Sequence, residues 1–537
     1  MPEAQRLSIQ DAFWLEMDKP TNLMVVDSLM WTSRPVDWDR YRAVLRTRLW
    51  DRYPAFRSVA RRGAHGGWYW VEEAGDDFEA HFEQVVLPEP GDDIALQEFI
   101  ASQRTTPLDR DKPLWRVFLV DGYRDGSAMV MRAHHALADG IRMVELAMNL
   151  GDASPDGGAI AAPPMHQHSA EGRGPKRPID RETAGRVTSV ANELRGLAGG
   201  MISLFGSVAT DPVGAFSGPF DALGPTLAVG AQRGAGTSAE LVRTAVRNPI
   251  AAVRAATNLA NKTVGSTASW LESSTRRGGR YGRDLAGLFS AAPGDADIAR
   301  KLLLGTRNDN TCWTGAAGTR KAVSWSAPLP LADVKDVARA TGATVNDVLV
   351  TCVAGSLRTY LQKHNATCAS VNWDVPVNLK PFDAALPTQL GNGFAIVQLE
   401  LPTNIANPLV TLDVVRHRMS RIKHGHEAPL AFTIQAGLSK LNKTIYRTLV
   451  DLLADRAVGV LTNVPGPQDP IYIAGQKVEG AMGWAPLSGD QAMSFTIFSY
   501  DAKVFVGIAC DVTLVPDHEQ IVDGFADEFH RLSVLCL

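Results

Sequence analysis

Apolar side chains recur in the first 150 residues with two different periods, and the mixture predicts an α/β structure. Helical spacing predicts helices over residues 7–16, 37–53 and 94–103. Continuous apolar runs, bounded by turn residues, predict strands over residues 23–32, 56–61, 67–71, 114–121 and 128–132. The last two strands flank Arg124-Asp125-Gly126 and should form a hairpin.

The pattern resumes beyond residue 300 and again predicts α/β structure. Strands are expected over residues 323–327, 371–377, 395–401, 458–463, 494–499 and 504–509, and helices over 331–340 and 519–535. Thr344 should cap a further helix that runs to about residue 361, with Asp347 favouring its positive end. We find no sequence repeat between the two halves.

The segment between these halves has a different composition. Residues 152–178 are rich in Gly, Pro, Ala and His, which is typical of a flexible linker. Residues 170–284 hold 15 Lys and Arg against 9 Asp and Glu, although the whole chain has a net charge of -4. We therefore predict an N-terminal domain (1–151), a basic linker with short helices (152–300) and a C-terminal domain (301–537). The linker is interpreted as a solvated connector or as a segment that lies on anionic lipid surfaces.

Composition narrows the class of protein. The net charge of -4 does not favour a nucleic-acid partner. Five cysteines without C-x-x-C spacing are expected to be reduced, mostly buried thiols in a cytosolic protein. The first ten residues lack the apolar core of a signal peptide, and no run reaches about 18 apolar residues, so any membrane contact should be peripheral.

The stretch His134-His135-Ala136-Leu137-Ala138-Asp139-Gly140 carries the strongest chemical signal. It follows a predicted strand and precedes a helical run. Because successive side chains of a strand point to opposite faces, only one histidine should face a cleft, and the pattern does not say which. A neutral imidazole suits removal of a hydroxyl proton. Asp139 could orient that base or form an internal salt bridge, and Gly140 permits a tight turn and a close backbone approach.

Other catalytic classes lack their defining parts. The sequence has no H-E-x-x-H or C-x-x-C metal spacing, no G-x-S-x-G elbow, no G-x-x-x-x-G-K-[ST] loop and no G-x-G-x-x-G fingerprint. We therefore expect no metal and no bound cofactor.

Several short motifs, in order, resemble the bacterial wax ester synthase/acyl-CoA:diacylglycerol acyltransferase family. They are Leu7-Ser8, Pro20-Thr21-Asn22, Pro113-Leu114-Trp115, the His134 to Gly140 motif, Val345-Asn346-Asp347, Val375-Pro376-Val377-Asn378, Gly391-Asn392, Asn463-Val464-Pro465-Gly466-Pro467 and Ser499-Tyr500-Asp501. The His motif alone specifies only the superfamily of chloramphenicol acetyltransferase and peptide-synthetase condensation domains, whereas the series specifies the lipid-making branch. The long basic linker departs from the family pattern.

The resemblance implies two chloramphenicol-acetyltransferase-like domains with mixed sheets and an active site in a channel between them. His135 would be the general base, with His134, Asp139 and Gly140 holding the motif. Asp139 would do so by pairing with an arginine such as Arg116. Asn346 would lie near the reacting centre, at a helix start that offers free backbone donors to an oxyanion. Possible channel or loop-shaping residues are Pro113, Leu114, Trp115, Asn392 and Asn463.

Three hypotheses follow. The first is transfer of a long-chain acyl group from acyl-CoA to diacylglycerol or a long-chain alcohol, at a membrane or lipid-droplet surface. The second is a coenzyme A-dependent acyltransferase of the same superfamily that acts on a non-lipid hydroxyl. The third is a lipid-surface protein without catalysis. The acceptor, the acyl length and the oligomeric state stay open.

Overall fold

The computed structural model describes residues 4–64, 67–72, 77–158, 309–378, 386–388, 390–424, 450–451 and 454–536. One compact unit comprises Met1–His168, Asn308–Gly425 and Ala457–Leu537. A second unit comprises Ser169–Arg307 and His426–Arg456, nearly all of it outside the described residues. The predicted linker over 152–300 also falls almost wholly outside them, so the domain boundaries stay a prediction.

The described part of the chain mixes helices and strands, as the sequence predicts. The helices are α1 (Ile9–Met17), α2 (Trp38–Leu45), α3 (Asp93–Arg104), α4 (Gly140–Leu150), α5 (Leu331–Thr341), α6 (Val345–Lys363), α7 (Pro408–His424) and α8 (Glu519–Cys536). The N-terminal strands are β1 (Ala4–Arg6), β2 (Val25–Thr32), β3 (Ser58–Arg62), β4 (Trp68–Glu72), β5 (Phe82–Val86), β6 (Trp115–Tyr123) and β7 (Gly126–His134). The C-terminal strands are β8 (Lys321–Trp325), β9 (Leu329–Pro330), β10 (Ser370–Asn378), β11 (Phe394–Pro402), β12 (Gly459–Pro465), β13 (Tyr472–Ile473), β14 (Gln476–Trp484), β15 (Met493–Tyr500) and β16 (Lys503–Asp511).

A six-stranded sheet positions the histidine motif, in the order β13-β14-β2-β7-β6-β5. The predicted hairpin is confirmed, because β6 and β7 pair antiparallel around the turn at residues 124–125. Strand β7 also pairs with β2, with Val25 opposite His134. Strands β13 and β14 come from far along the sequence, and β14 completes this sheet by pairing with β2. Local pattern does not reveal so distant a pairing.

A seven-stranded sheet is built from the C-terminal half, in the order β11-β10-β12-β15-β16-β8, with β9 paired to β16. Helix α6 packs beside α8, and nearly all of its central residues are buried. Its start confirms the predicted cap, because Thr344 and Asp347 form a reciprocal capping box. Both sheets mix parallel and antiparallel pairs, and the predicted α/β class with mixed sheets is confirmed.

In the part of the chain that the structure describes, no single helix is long and apolar enough to cross a membrane. Helices α5 and α6 reach that length and hydropathy only as a pair, bent by 98° at their junction. The five cysteines are all free, and Cys352, Cys368 and Cys510 are buried, as the sequence predicts.

Candidate active site

The histidine motif forms the turn between β7 and α4. Strand β7 ends at His134, and the His135 N–H still donates to the carbonyl of Met24, at 2.8 Å. Helix α4 then begins at Gly140 with Asp139 as its N-cap, whose carboxylate accepts the Arg142 N–H at 2.9 Å. Both histidines are therefore fixed by backbone hydrogen bonds at the junction of two regular elements.

His134 lies in a polar pocket where both of its ring nitrogens have a partner. Its Nδ1 accepts the Ala136 N–H at 3.1 Å, so the proton of the neutral ring belongs on Nε2. Nε2 lies 3.3 Å from the Asp18 carboxylate, which also accepts a hydrogen bond from Arg110. Burial lowers the pKa of His134 from its usual value, and hydrogen bonding to Asp18 opposes that shift. The ring is thus a neutral, structural imidazole.

His135 has a different environment, made of aromatic rings. Its imidazole stacks on the indole of Trp14, with centroids 4.0 Å apart and planes 22° apart. Phe394 lies 5.7 Å away on a tilted plane. Burial lowers the pKa of His135 to about 4, while the nearby charge of Asp139 acts in the opposite direction. The ring is therefore neutral at physiological pH and able to accept a proton.

The two ring nitrogens of His135 are not equivalent. Nδ1 is buried and has no hydrogen-bond partner among the described residues. The backbone carbonyl of the same residue accepts a hydrogen bond from the Asn392 amide at 3.0 Å. The protein therefore holds this residue through its backbone and its ring face, without engaging Nδ1 in a charge relay.

A short C-terminal segment, residues 390–394, lies along the motif. Asn392 donates to the Asp11 carboxylate from its backbone N–H and from its side chain, at 2.9 and 2.8 Å. Gly391 has a φ of +71°, and a Cβ there would lie 3.3 Å from Asp11 Oδ2, so the position favours glycine. The predicted loop-shaping role of Asn392 thus has a definite geometry, in which it links α1 to the motif.

Asp139 also joins this segment, because its second carboxylate oxygen accepts the Gly393 N–H at 2.9 Å. The predicted pairing of Asp139 with Arg116 is wrong. Arg116 lies on β6 and pairs with Glu83 in a half-exposed ion pair. Asp139 is buried, and backbone N–H groups satisfy its charge in place of an arginine.

Gly140 permits a close backbone approach, but no described part of the protein makes one. Apart from its chain neighbours and the backbone of α4, nothing lies within 4 Å of a Cβ built at this position, and the residue is exposed at the first turn of α4. The described protein atoms therefore do not require glycine here.

Pro113, Leu114 and Trp115 pack in the core beside the motif. The Leu114 carbonyl accepts the His134 N–H at 2.9 Å. The Trp115 indole is buried, donates to the Phe56 carbonyl at 2.7 Å and stacks on His81. These contacts position β7.

Asn346 and Asn463 are brought to each other, since Asn463 Nδ2 donates to Asn346 Oδ1 at 2.7 Å. In the described parts of the chain, no hydrogen bond joins Asn346 to the histidine motif. The capping box at the start of α6 already uses the Asp347 N–H, so this N–H is not one of the free donors that we predicted for an oxyanion.

Sequence reasoning did not identify Asp11, Trp14, Asp18 or Phe394 as parts of this site. The first three lie on or just after α1, near the quoted Leu7-Ser8 and Pro20-Thr21-Asn22 motifs. Those motifs and the helical spacing over residues 7–16 point to this helix, but neither singles out these side chains. Across the described residues, no three His, Cys, Asp or Glu side chains are grouped to hold a metal ion.

Comparison with known proteins gives this arrangement a family. The profile of the wax ester synthase/diacylglycerol acyltransferase catalytic domain matches residues 7–244, and that of the WS/DGAT C-terminal domain matches residues 390–533. The chain belongs to the wax ester synthase/diacylglycerol acyltransferase family. The first match contains the histidine motif and the second contains the segment that lies along it, so the predicted resemblance is confirmed.

Individual relatives are distant but similar over most of their length. The chain is 25% identical to a probable diacylglycerol O-acyltransferase of Mycobacterium tuberculosis, over 87% of this chain and 81% of that protein. It is 22% identical to the O-acyltransferase WSD of Acinetobacter baylyi, over 86% of this chain and 82% of that protein.

Two solved structures share the fold. A wax ester synthase/diacylglycerol acyltransferase from Marinobacter aquaeolei superimposes with a TM-score of 0.59 at 19% identity, covering 99% of this chain and 100% of that one. The first condensation domain of the calcium-dependent antibiotic synthetase gives 0.53 at 15% identity, covering 99% and 96%. The predicted architecture, two chloramphenicol-acetyltransferase-like domains, is therefore confirmed.

Proposed function

We propose that this protein transfers a long-chain acyl group from acyl-CoA to the hydroxyl of diacylglycerol, of a long-chain alcohol, or of both. One observation carries the proposal. Within the segment matched by the family's catalytic domain, His135 is a buried, neutral imidazole clamped between aromatic rings and backbone hydrogen bonds. The names of the relatives support the reaction class and the two acceptors.

The chemistry is a direct transfer with a general base. Nε2 of His135 takes the proton of the acceptor hydroxyl, and the oxygen attacks the thioester carbonyl. The resulting tetrahedral oxyanion collapses, forms the ester and expels the coenzyme A thiolate, which takes the proton from the imidazolium. Because burial disfavours the charged ring, the imidazolium gives up this proton readily. We propose that Asn346, at the start of α6, lies close to the reacting carbonyl.

A measurement of coenzyme A release tests both the acyl donor and the acceptor of the proposed reaction. Purified protein with palmitoyl-CoA is offered dioleoylglycerol, hexadecanol or a small polar alcohol, and a reaction without acceptor gives the hydrolysis background. We expect release above background with one or both lipid acceptors, and extraction of the matching ester. Coenzyme A release only with the polar alcohol would show that the acceptor is not a lipid. Release with none of them would contradict the proposed reaction.

We also propose that the protein is cytoplasmic and docks peripherally on membranes or lipid droplets, where its lipid substrates reside. The excess of Lys and Arg over residues 170–284 supports this proposal, because basic segments are attracted to anionic lipid. Flotation with vesicles tests it. Binding should require anionic phosphatidylglycerol and weaken as salt rises, whereas no binding to any vesicle would contradict the docking.

A further inference from the structure

A second buried site lies behind the histidine strand, in a cavity of about 20 Å³. Its walls include Asn22 and Asp27 from the N-terminal part, Arg104 from the end of α3, Arg132 from β7, and Lys321 and Cys510 from the C-terminal sheet. A cavity of at least about 10–15 Å³ holds one water, so this one accommodates a single small occupant.

The charges around the cavity do not balance. Arg132 Nε donates to Asp27 Oδ1 at 2.9 Å, and Arg104 donates to the other oxygen of the same carboxylate. Lys321 pairs with the fully buried Asp511 at 2.7 Å. Among the described side chains at this cavity, three cations therefore share two carboxylates. The side chains of Arg104, Arg132 and Asp27 are 7%, 2% and 3% exposed, so solvent does not compensate the remaining positive charge.

Unused donors accompany this excess charge. Arg132 donates from Nε to Asp27 and from Nη1 to the Thr106 carbonyl, at 2.9 Å each. Its buried Nη2 has no partner among the described residues. Arg104 Nε is likewise buried without a partner in the described chain. Buried guanidinium donors are normally satisfied, so two of them at one small cavity indicate an acceptor that the described part of the chain does not supply.

We infer that this cavity binds one monovalent anion of about the size of chloride. A water could accept from the same donors and donate to the unpartnered Oδ1 of Asn22, but it would leave the buried positive charge in place. An anion supplies both the acceptor and the missing charge. The volume excludes a coenzyme A phosphate or an acyl chain, so this site is separate from acyl transfer and does not depend on the proposed function.

The site has a structural consequence. Asp27 and Arg132 are directly paired across β2 and β7, two residues from the pair of Val25 and His134. Helix α3, which carries Arg104, packs on β8, which carries Lys321. A bound anion therefore ties the histidine strand to the C-terminal sheet and should stabilise the folded unit.

Two measurements on the full-length protein test the site. Crystals soaked in bromide should show an anomalous peak in the cavity, within hydrogen-bond distance of Arg132 Nη2. In solution, 150 mM chloride should raise the Tm by about 2–4 °C over 150 mM gluconate, which is too large to enter. Arg104→Met leaves Asp27 paired with Arg132 and balances the charges, so this difference should disappear. The matched control Arg116→Met removes a half-exposed arginine, and it should keep the Tm difference between chloride and gluconate.

Two outcomes would overturn the inference. One is a cavity without an anomalous peak. The other is equal Tm values of the wild type in 150 mM chloride and 150 mM gluconate; a peak seen only at soaking concentrations would then mean an adventitious ion only. The diffraction measurement and the comparison of chloride with gluconate both use the wild type, so together they decide the question even if Arg104→Met does not fold.

Discussion

The two neighbouring histidines occupy opposite kinds of environment. His134 has both ring nitrogens next to polar groups, an N–H donor on one side and the Asp18 carboxylate on the other. His135 has its ring face on Trp14, and its buried Nδ1 lacks a partner in the described residues. A satisfied ring contributes to folding, whereas the ring of His135 is held by its face and its backbone, and Nε2 is the nitrogen that we propose as the base. Position in the chain does not separate these roles, but the contacts do.

His135→Ala tests whether His135 is the general base, and it should give the largest effect on kcat. Loss of a general base lowers kcat by about 10²–10⁴-fold. Steady-state coenzyme A release measures this loss, and a Tm close to that of the wild type shows that the variant is folded. Wild-type turnover by the folded variant would remove His135 from the mechanism.

Asp139→Ala should produce the largest loss of stability. The change deletes the cap of α4 and leaves the half-buried Gly393 N–H without its acceptor. Loss of a cap costs about 1 kcal/mol and an unsatisfied buried donor about 1–3 kcal/mol, so we expect about 2–4 kcal/mol in urea unfolding. Asp139→Asn keeps one acceptor and should lie between the alanine variant and the wild type. An unchanged free energy of unfolding in the alanine variant would contradict the role of Asp139.

His134→Ala tests whether His134 contributes to stability and not to catalysis. It leaves the Ala136 N–H unpaired and removes the imidazole partner of Asp18, which should cost about 1–3 kcal/mol of unfolding free energy. The kcat of the folded protein should change by less than about tenfold. His134→Asn places an acceptor near the position of Nδ1 and should recover part of the stability. A loss of kcat as large as that of His135→Ala would erase the distinction between the two rings.

Trp14→Leu should give the smallest effect, because an aromatic pair is worth about 0.5–1.5 kcal/mol. If stacking only orients the imidazole, kcat should fall by about three- to tenfold. Trp14→Phe keeps a ring on the imidazole and serves as the matched control. Equal kcat values for the leucine variant and the wild type would show that the stack does not position the base.

Sequence pattern predicted most of the described elements because each one has its own hydrophobic period. It did not predict β1, β5, β9, β13, β14 or α7. Strand β14 joins the first sheet through pairing with a strand more than 400 residues away, and no local signal encodes such a partner.

The site was predictable in part, where a residue's role depends on its own motif. The histidine turn and the cap at Thr344 were found in this way. The predicted arginine partner of Asp139 was wrong. Asp139 accepts hydrogen bonds from backbone N–H groups, and Arg116 on β6 pairs with Glu83. The Trp14 stack was missed because it depends on how α1 packs against β7, and apolar spacing in α1 says only that one face is buried.

The pH dependence of kcat/KM tests the central claim most directly, because it reports the pKa of the base in the free enzyme. Burial lowers the pKa of His135 to about 4, so the acid limb should have its midpoint well below the ordinary histidine value of about 6.5. The unfolded chain takes up the proton first. The stability contributed by a neutral His135 is therefore full above about pH 6.5 and is lost as the pH falls toward 4, and circular dichroism at each pH separates unfolding from titration. A midpoint near 4 to 5 in folded protein is the expected result. A midpoint at or above 6.5 would contradict a buried, neutral His135 as the general base.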